Sequence, residues 1–469
     1  MDKQKLFDYI DSQKDDMIAT LCELISYPSY EQEASEGAPF GKPVRECLDK
    51  ALEICEGFGF KTKNYDGYVG TAEFTEGEAS LGILGHLDVV PEGTGWTHEP
   101  FNAHVCDGKV FGRGSIDDKG PCVAVMYAMK ALMDLDIPLK NGVRLILGTN
   151  EENGSGDLVY FEKVAEMPKW LFTPDGNYPV INIEKGMIRG GFTRMTKPTE
   201  SGARLLCFHS GKTINAVPEL ANATVSGVSK DELKACIAEF GSTCEFTLSE
   251  AEGGIRIDVK GKSAHASTPD AGDNALTCLL ALLAKLELCD EASKLLKNLA
   301  GIFEYNSINC SHIEGLSIKD DISGCLTMVL SVLHYDGVTI DGKIDIRFPI
   351  CGSLSGVSEA LKEALSGAGF IDTTIMGVEP HYVDSNSAFV KTLLGVYENV
   401  TGEKGECIAI GGGTYVHHTE GGVAFGAEFP GEDNHMHGAD EFMTVDSLLT
   451  NAKIFALAIY AVCNNEDLA

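Results

Sequence analysis

Residues 81–90, LGILGHLDVV, begin with an apolar run that stops at a histidine. Two other apolar runs end in a similar way: VRLIL at 143–147 precedes GTNEE, and WLF at 170–172 precedes TPD. Short apolar runs bounded by glycine or proline are typical of buried strands. Because helical patterns separate these runs, they predict a largely parallel sheet with a His or a carboxylate beyond three strand ends. Ligands of open α/β sheets bind at that edge, so chemistry is expected there.

The spacing of apolar residues predicts helices on both sides of a central region with a different pattern. We expect these helices over residues 2–27, 43–58, 120–135, 155–166, 388–400 and 445–463. Between about 186 and 380 the chain changes to strand–helix–strand units, and two of them look alike. Their strands are expected at 254–259 and 342–347, and their helices at 274–286 and 356–365. The sequence therefore predicts an α/β domain interrupted by an inserted α+β domain with an internal repeat.

The composition is that of a globular protein with two or three domains. The chain has 469 residues, of which 44% are hydrophobic and 23% are charged. Acidic residues outnumber basic ones by 70 to 37, which gives a formal charge of −33. This excess disfavours binding to nucleic acid or to an anionic membrane surface. No apolar run approaches the roughly 20 residues that would cross a bilayer, so no membrane partner is expected.

The cysteines indicate a reducing compartment. All 15 are scattered, no CxxC pair occurs, and the N-terminal MDKQKLFDYI lacks the apolar core of a signal peptide. We therefore expect free, mostly buried thiols and a cytoplasmic protein.

Five short elements contain the side chains that suggest a reaction. They are His86-Leu87-Asp88, Asp117-Asp118-Lys119-Gly120, Glu151-Glu152, Asp175 and His437-Gly438-Ala439-Asp440-Glu441. Each alone could be a loop cap, and Glu151-Glu152 could be a solvated helix start. Together, imidazoles and carboxylates from separate loops suit two zinc ions, which can polarise a carbonyl and acidify water. The set therefore indicates metal-assisted hydrolysis.

Six stretches, in the same order along the chain, resemble the zinc peptidases of clan MH. That family includes aminoacylases, carboxypeptidase G, succinyl-diaminopimelate desuccinylase and carnosinases, and the likeness is greatest to its PepV-type dipeptidases. The stretches are GHLDVVPEG (85–93), GRGSIDDKGP (112–121), NEENGSGD (150–157), PDGNYP (174–179), GKSAHAS (261–267) and HMHGADE (435–441). The resemblance implies a zinc-peptidase catalytic domain, with a mostly parallel sheet flanked by helices, from residues 1–186 and 381–469. It further implies that residues 187–380 form an α+β lid of two ferredoxin-like repeats.

The resemblance also implies a role for each residue of the set. Asp117 would bridge two Zn²⁺ ions, with manganese or cobalt as substitutes. One ion would bind His86 and Asp175, and the other Glu152 and His437. Glu151 would be the general base. Asp88 would accept the second ring proton of His86, unless it only caps a turn. Asp118 could replace Asp117, and His435 competes with His437.

Residues of the inserted domain and of a glycine-rich stretch would contact the substrate. By resemblance, His265 stabilises the oxyanion of the tetrahedral intermediate, and Asn215 assists substrate binding. Arg347, with Gly412, Gly413 and Thr414 in GGGT, is a candidate for holding the substrate's C-terminal carboxylate. Alternatively, His265 is a turn histidine and the glycines form only a tight turn.

The predicted activity is hydrolysis of short peptides, above all dipeptides with a free N-terminus, and β-alanyl dipeptides could be included. Two other functions remain open: deacylation of N-acyl amino acids at the same metals, and binding of peptides or amino acids without catalysis. The inserted domain is about twice the length of the single lid of dimeric relatives, which predicts a monomer.

Overall fold

The computed structural model describes residues 1–197, 199 and 201–468, which divide into two compact units. The first contains residues 1–183, 382–408 and 413–469, and the second contains residues 184–381 and 409–412. The sequence predicted a catalytic domain of residues 1–186 and 381–469 and an inserted domain of residues 187–380, and that assignment stays a prediction. The short segment 409–412 was expected in the catalytic domain, but it belongs to the second unit.

Eleven α-helices lie in the described chain: α1 Lys3–Ser12, α2 Lys14–Ile25, α3 Lys42–Phe58, α4 Lys119–Asp134, α5 Gly156–Val164, α6 Lys230–Phe240, α7 Ala275–Leu283, α8 Glu291–Ile302, α9 Leu354–Gly367, α10 Ala388–Thr401 and α11 Val445–Asn464. Each segment predicted to be helical contains an α-helix. The prediction of one helix over 2–27 was wrong, because the chain leaves helical geometry at Gln13 and restarts. Apolar spacing continues across this break, which is why the pattern did not reveal it.

The strands alternate with the helices at first and then dominate the central part of the chain. They are β1 Lys61–Tyr65, β2 Val69–Glu73, β3 Ala79–His86, β4 His104–Cys106, β5 Lys109–Phe111, β6 Gly142–Gly148, β7 Trp170–Thr173, β8 Val180–Glu184, β9 Gly186–Met195, β10 Arg204–Ser210, β11 Ala216–Val217, β12 Leu220–Ser226, β13 Glu245–Ala251, β14 Gly254–Lys260, β15 Ala264–His265, β16 Lys319–Asp320, β17 Gly324–Cys325, β18 Thr327–Tyr335, β19 Thr339–Phe348, β20 Asp372–Val378, β21 His381–Tyr382, β22 Cys407–Ile410, β23 Val423–Ala424 and β24 Phe442–Thr444.

The sheet of the first unit is mixed, which corrects the expectation of a mostly parallel sheet. Its strands run in the order β1-β2-β6-β3-β7-β23-β8. Within this order, the central pairs β6–β3, β3–β7 and β7–β23 are parallel, whereas β1–β2, β2–β6 and β23–β8 are antiparallel. The β1–β2 hairpin turns at Asp66 and Gly67, which both have positive φ, so an antiparallel pair forms at this edge. The three strands that precede the candidate ligands are nevertheless adjacent and parallel.

Helices α4 and α11 form the core of the first unit together. Every residue of α4 from 119 to 129 is buried, as expected for a helix that is apolar on all sides. Helix α11 is long and apolar enough to cross a membrane by length and composition, which the sequence analysis did not recognise. However, 72% of its most apolar window is buried inside the protein, as in the core helix of a globular domain.

The second unit is built on an eight-stranded antiparallel sheet in the order β13-β14-β12-β10-β18-β19-β9-β20. The two strands expected at 254–259 and 342–347 are β14 and β19, and each is followed by a helix. Leucines and other apolar residues of α7, α8 and α9 pack with the sheet in a separate core. The unit is thus α+β, and its division into two ferredoxin-like repeats stays a prediction.

Candidate metal centre

Three adjacent strands deliver the first group of polar side chains to one edge of the sheet. His86 is the last residue of β3, Glu151 and Glu152 follow β6, and Asp175 follows β7 by two residues. The strand order β6-β3-β7 puts His86 in the middle of this group. Its ring is fully buried, whereas the three carboxylate residues are partly exposed.

Asp117 lies between the two imidazoles. Its Oδ1 is 3.0 Å from Nε2 of His86, and its Oδ2 is 2.7 Å from Nε2 of His437. The same His86 nitrogen is 3.7 Å from Oδ2 of Asp175, and the same His437 nitrogen is 3.3 Å from Oε1 of Glu152. A carboxylate that directs one oxygen toward each imidazole has the arrangement that a bridging ligand requires.

The atoms that converge here fit divalent cations. Possible ligand atoms of His86, Glu151 and Asp175 lie within 4.8 Å of one another, and so do those of Asp117, Glu152 and His437. Among the described residues, Nε2 of His86 and Oε1 of Glu152 are buried without a hydrogen-bond partner. Buried polar atoms without a partner are costly, and a cation would satisfy them. Nitrogen and carboxylate oxygen together suit zinc and also admit manganese or cobalt.

The imidazoles and Asp117 influence each other's protonation strongly. Burial alone would lower the pKa of His86, but the carboxylates of Asp117, Asp175 and Asp88 raise it well above its ordinary range. Burial would likewise lower the pKa of His437, yet Asp117 and Glu152 raise it to about 11. Burial opposes ionisation of Asp117, but the two imidazoles hold its pKa below the ordinary value. The carboxylates thus favour positive charge at both imidazoles.

Burial raises the pKa of Glu151, as it does those of Glu152 and Asp175, whereas that of Asp117 is lowered. For Glu151, burial raises the pKa well above the ordinary value; His86 opposes this shift, and Asp175 and Glu152 add to it. A carboxyl group with a raised pKa, placed among possible ligand atoms, suits proton transfer at the centre. Glu151 thus lies where the sequence expected a general base, within the group formed by His86 and Asp175.

Asp88 holds the loop that carries the two glutamates. Its carboxylate oxygens accept hydrogen bonds from the backbone N–H groups of Glu151 and Glu152, each at 3.1 Å. Nδ1 of His86 lies 3.0 Å from the backbone carbonyl of Asp88 and 3.5 Å from its carboxylate. The sequence analysis expected the carboxylate to receive the ring proton, but the carbonyl is the nearer acceptor. The carboxylate instead positions Glu151 and Glu152.

The two alternatives left open by the sequence lie elsewhere. Asp118 is fully buried and accepts the backbone N–H of His86 at 3.1 Å, so this carboxylate faces the strand end. The ring of His435 packs against Phe442, with 5.8 Å between ring centroids. Asp117 and His437 are therefore the members of each pair that face the centre.

Asp157 and Tyr415 support the Glu151–Glu152 loop, and sequence reasoning missed both. Asp157 accepts hydrogen bonds from the backbone N–H groups of Thr149 and Asn150, at 2.5 and 3.0 Å, and from the hydroxyl of Tyr415. The Tyr415 ring also lies edge-on to His86, 6.0 Å between centroids. Asp157 was part of the quoted NEENGSGD stretch, so a signal existed, but nothing in the sequence linked it to Tyr415.

His265 and Asn215, which were assigned to the substrate, are neighbours in the second unit. The short strands β11 and β15 pair Ala216 with His265, and the N–H of Ala266 donates to the carbonyl of Asn215 at 2.9 Å. Nδ1 of His265 lies 3.3 Å from the N–H of Ser267, which donates to it, and 2.6 Å from the Ser267 hydroxyl. An acceptor role for Nδ1 leaves the ring proton of a neutral imidazole on Nε2, so that nitrogen is a hydrogen-bond donor.

Arg347 is already engaged by protein groups. Its guanidinium donates to both carboxylate oxygens of Asp345, at 2.6 and 3.0 Å, and to the carbonyl of Gly411 at 2.5 Å. The side chain is 5% exposed. Gly412 belongs to the second unit with Arg347, whereas Gly413 and Thr414 belong to the first. Thr414 caps a short 3₁₀ turn, accepting the N–H of Val416. Arg347 therefore has a structural role. It could bind the substrate's C-terminal carboxylate, as predicted, only through the N–H groups that these contacts leave.

A sheet edge that presents two imidazoles and four carboxylates around convergent ligand positions defines a metal-dependent hydrolase. The chain belongs to peptidase family M20/M25/M40, whose family model matches residues 82–461. It is thus a metal-dependent peptide hydrolase, and the resemblance noted in the sequence is confirmed.

Full-length relatives share this architecture. The chain is 35% identical over 465 residues to YtjP of Bacillus subtilis (strain 168), with 96% of this chain and 97% of that protein aligned. It is 34% identical over 468 residues to the Beta-Ala-Xaa dipeptidase of Lactobacillus delbrueckii subsp. lactis, with 98% of each covered. The solved structure of the dipeptidase Dug1p from Saccharomyces cerevisiae has the same fold, at a TM-score of 0.61, 13% identity and 99% coverage of both chains.

Proposed function

We propose that this chain hydrolyses dipeptides with a free N-terminus and uses two divalent cations, zinc in the first place. The observation that supports this most directly is the Asp117 carboxylate, with one oxygen toward His86 and the other toward His437. His86 and Asp175 would complete one cation position, and Glu152 and His437 the other. Three carboxylates would offset three of the four positive charges.

Bound at this site, such a pair of cations would polarise the scissile carbonyl and make a water molecule acidic. Glu151 would accept a proton from the attacking water at a carboxylate oxygen. It would then donate that proton to the nitrogen of the leaving amino acid, which returns the carboxylate to its starting state. Asp88 keeps Glu151 in place through the backbone N–H, so the base need not be ordered during each turnover.

The second unit would supply groups for the oxyanion and the substrate. His265, with its donor nitrogen Nε2, is proposed to stabilise the oxyanion that forms when the carbonyl is attacked. Asn215, adjacent to His265 along the paired strands, is proposed to contact the substrate, and so are Arg347, Gly412, Gly413 and Thr414. We further propose that this unit is a lid built from two ferredoxin-like repeats.

The preference for dipeptides rests on the relatives, and so does the extension to β-alanyl substrates. The Lactobacillus protein, 34% identical over nearly the whole chain, is described as a Beta-Ala-Xaa dipeptidase. We therefore propose that β-alanyl dipeptides are among the substrates. We also propose that the protein acts in the cytoplasm as a monomer, which sedimentation of the purified protein would test.

The decisive assay compares matched substrates on one enzyme preparation. Ala-Ala, β-Ala-Ala, Ala-Ala-Ala, N-acetyl-Ala-Ala and N-acetyl-Ala should be tested after chelation and after addition of zinc, manganese or cobalt. We expect hydrolysis of the free dipeptides that is lost on chelation and restored by metal. Faster release of acetate from N-acetyl-Ala would instead identify a deacylase. No turnover of any substrate with metal bound would indicate a binding protein.

A further inference from the structure

Arg113 and Glu441 form a buried ion pair between the loops that carry two candidate ligands. The side chains are 1% and 0% exposed, and Nη1 of Arg113 donates to Oε2 of Glu441. Arg113 lies four residues before Asp117, and Glu441 lies four residues after His437. Neither residue has a role in the proposed reaction. Their other contacts, with the backbone of the two loops, indicate why two charges are buried there.

The second oxygen of Glu441 holds the Asp117 loop. Its Oε1 accepts the backbone N–H groups of Gly114, Ile116 and Asp117, at 3.0, 3.1 and 3.4 Å. The backbone continues this contact, because the N–H of Gly112 donates to the Glu441 carbonyl at 2.9 Å. One carboxylate therefore fixes the backbone that leads directly into the bridging aspartate.

Arg113 holds the His437 loop in return. Its Nη2 donates to the backbone carbonyl of His437 at 3.2 Å and to that of Glu92 at 3.3 Å. The guanidinium also lies against the ring of Trp96, 5.3 Å from its centroid. A planar guanidinium can donate to the Glu441 carboxylate and to both carbonyls while its face lies against the Trp96 ring, an arrangement that a lysine ammonium cannot reproduce.

The His437 loop needs such support because of its own geometry. His435, His437 and Asp440 have φ values of 57°, 59° and 56°, in the left-handed region that residues other than glycine seldom adopt. The His437 side chain is 50% exposed and follows no strand end. Asp440 also connects this loop to Thr97, because its carboxylate accepts hydrogen bonds from the Thr97 N–H and hydroxyl, both at 2.8 Å.

We propose that Arg113 and Glu441 are positioning residues that set the distance between Asp117 and His437, and thereby determine the affinity of one cation position selectively. That position is the one formed by Asp117, Glu152 and His437. The other position shares Asp117, but its two remaining ligands, His86 and Asp175, lie at and after the ends of strands β3 and β7, so it depends less on the ion pair. This inference rests on the two-cation centre of the proposed function.

The test measures cation binding directly, by calorimetric titration of zinc into the metal-free full-length protein and by metal analysis after dialysis. Wild type should bind two zinc ions. Glu441→Gln puts an amide donor against Arg113. Arg113→Lys removes the planar guanidinium but keeps the positive charge. Each should weaken one binding step by about 10- to 100-fold and leave the other within about threefold, as is usual for groups that orient a ligand.

The matched control is Glu73→Gln, which breaks the ion pair between Glu73 and Arg144 on strands β2 and β6 of the same unit. It should leave both zinc steps unchanged. Equal weakening of both steps in Glu441→Gln, or no weakening in either variant, would overturn the inference. If wild type itself binds fewer than two ions, the proposed function fails instead, so the two failures are distinguishable.

Folding is monitored in the same samples by circular dichroism and thermal melting. If Glu441→Gln does not fold, the zinc titration of the milder variant Arg113→Lys is used instead. A crystal structure of that variant without metal gives a second readout: the Asp117 Oδ2 to His437 Nε2 distance should exceed the 2.7 Å of the wild type. An unchanged distance would also contradict the inference.

Discussion

Oδ1 of Asp117 lies 3.0 Å from Nε2 of His86, and that nitrogen forms no hydrogen bond with any described residue. A buried imidazole nitrogen this close to a carboxylate oxygen has an environment that a bound cation would satisfy. The other Asp117 oxygen makes a similar approach to His437. The account of this protein as a two-cation hydrolase depends on this arrangement.

Glu151→Gln tests the general base. The amide has nearly the shape of the carboxylate but cannot accept a proton, so kcat should fall by about 10²–10⁴-fold. Zinc content should stay at that of the wild type, because Glu151 is not proposed as a ligand. Glu162→Gln, an exposed glutamate on α5, is the control and should keep full activity. Normal turnover by the Glu151 variant with both metals bound would remove this assignment.

Asp88→Asn tests the support of the Glu151–Glu152 loop. The carboxylate accepts two backbone N–H groups, and an amide would turn a donor toward one of them. We expect metal affinity or kcat/KM to fall by about 10- to 100-fold, measured by zinc titration and steady-state kinetics. Asp8→Asn on the exposed face of α1 should change neither quantity. If Asp88 only caps a turn, the variant will lose stability while its metal affinity and kcat/KM remain normal.

Glu428 provides a pH-dependent test of the charge at the centre. Its side chain accepts the Asn177 amide at 3.3 Å, and its backbone pairs with Gly176 and Tyr178, just after Asp175. Burial raises the pKa of Glu428 from 4.5 to about 7, and the charges of Asp175 and Asp117 add to the shift. The folded state therefore binds more protons than the unfolded state between these pH values.

The free energy of unfolding of the metal-free protein should accordingly decrease as the pH rises from 4.5 to 7. Ionisation of Glu428 accounts for up to about 3 kcal/mol of this decrease, and below pH 4.5 Glu428 should not destabilise the protein. Glu428→Gln should remove that part of the slope, which denaturant unfolding at pH 5, 6, 7 and 8 would measure. Added zinc should reduce the difference between wild type and variant, because it offsets the nearby carboxylates. Equal slopes for both proteins without metal would contradict this reasoning.

His265→Ala tests the role of the second unit in the reaction. Loss of one oxyanion donor usually lowers kcat by about 10²–10³-fold. Zinc content and melting temperature should change little, because His265 is an exposed residue of a two-residue strand. His312→Ala, another exposed histidine of the same unit, should remain fully active. A merely structural histidine would give a variant with normal kcat.

The candidate site was predictable from local signals, and its supports were not. His86, Glu151, Glu152 and Asp175 follow apolar strands that periodicity identifies, and parallel pairing of β6, β3 and β7 brings them together. Asp117 and His437 lie in loops, so the residue pattern singled them out as candidates but only the family resemblance assigned them to particular metal positions. The contacts of Arg113 with Glu441, and of Asp157 with Tyr415, join positions more than 250 residues apart. No local pattern encodes such pairs.

The corrections to the fold have the same origin. Sequence periodicity shows which residues are apolar but not which strand lies beside which, so the antiparallel edges of the first sheet were missed. The break at Gln13 preserves the apolar spacing of α1 and α2, and therefore leaves no trace in the pattern. Asp88 shows the limit at atomic scale, because the sequence cannot tell a carboxylate acceptor from the carbonyl of the same residue.

Anomalous diffraction at the zinc absorption edge, from crystals of the zinc-loaded protein, would show whether two cations share Asp117. We expect two peaks about 3.5–4 Å apart, each within reach of one oxygen of Asp117, with His86 beside one and His437 beside the other. A single peak, or two peaks that do not share Asp117, would contradict the proposed two-cation site.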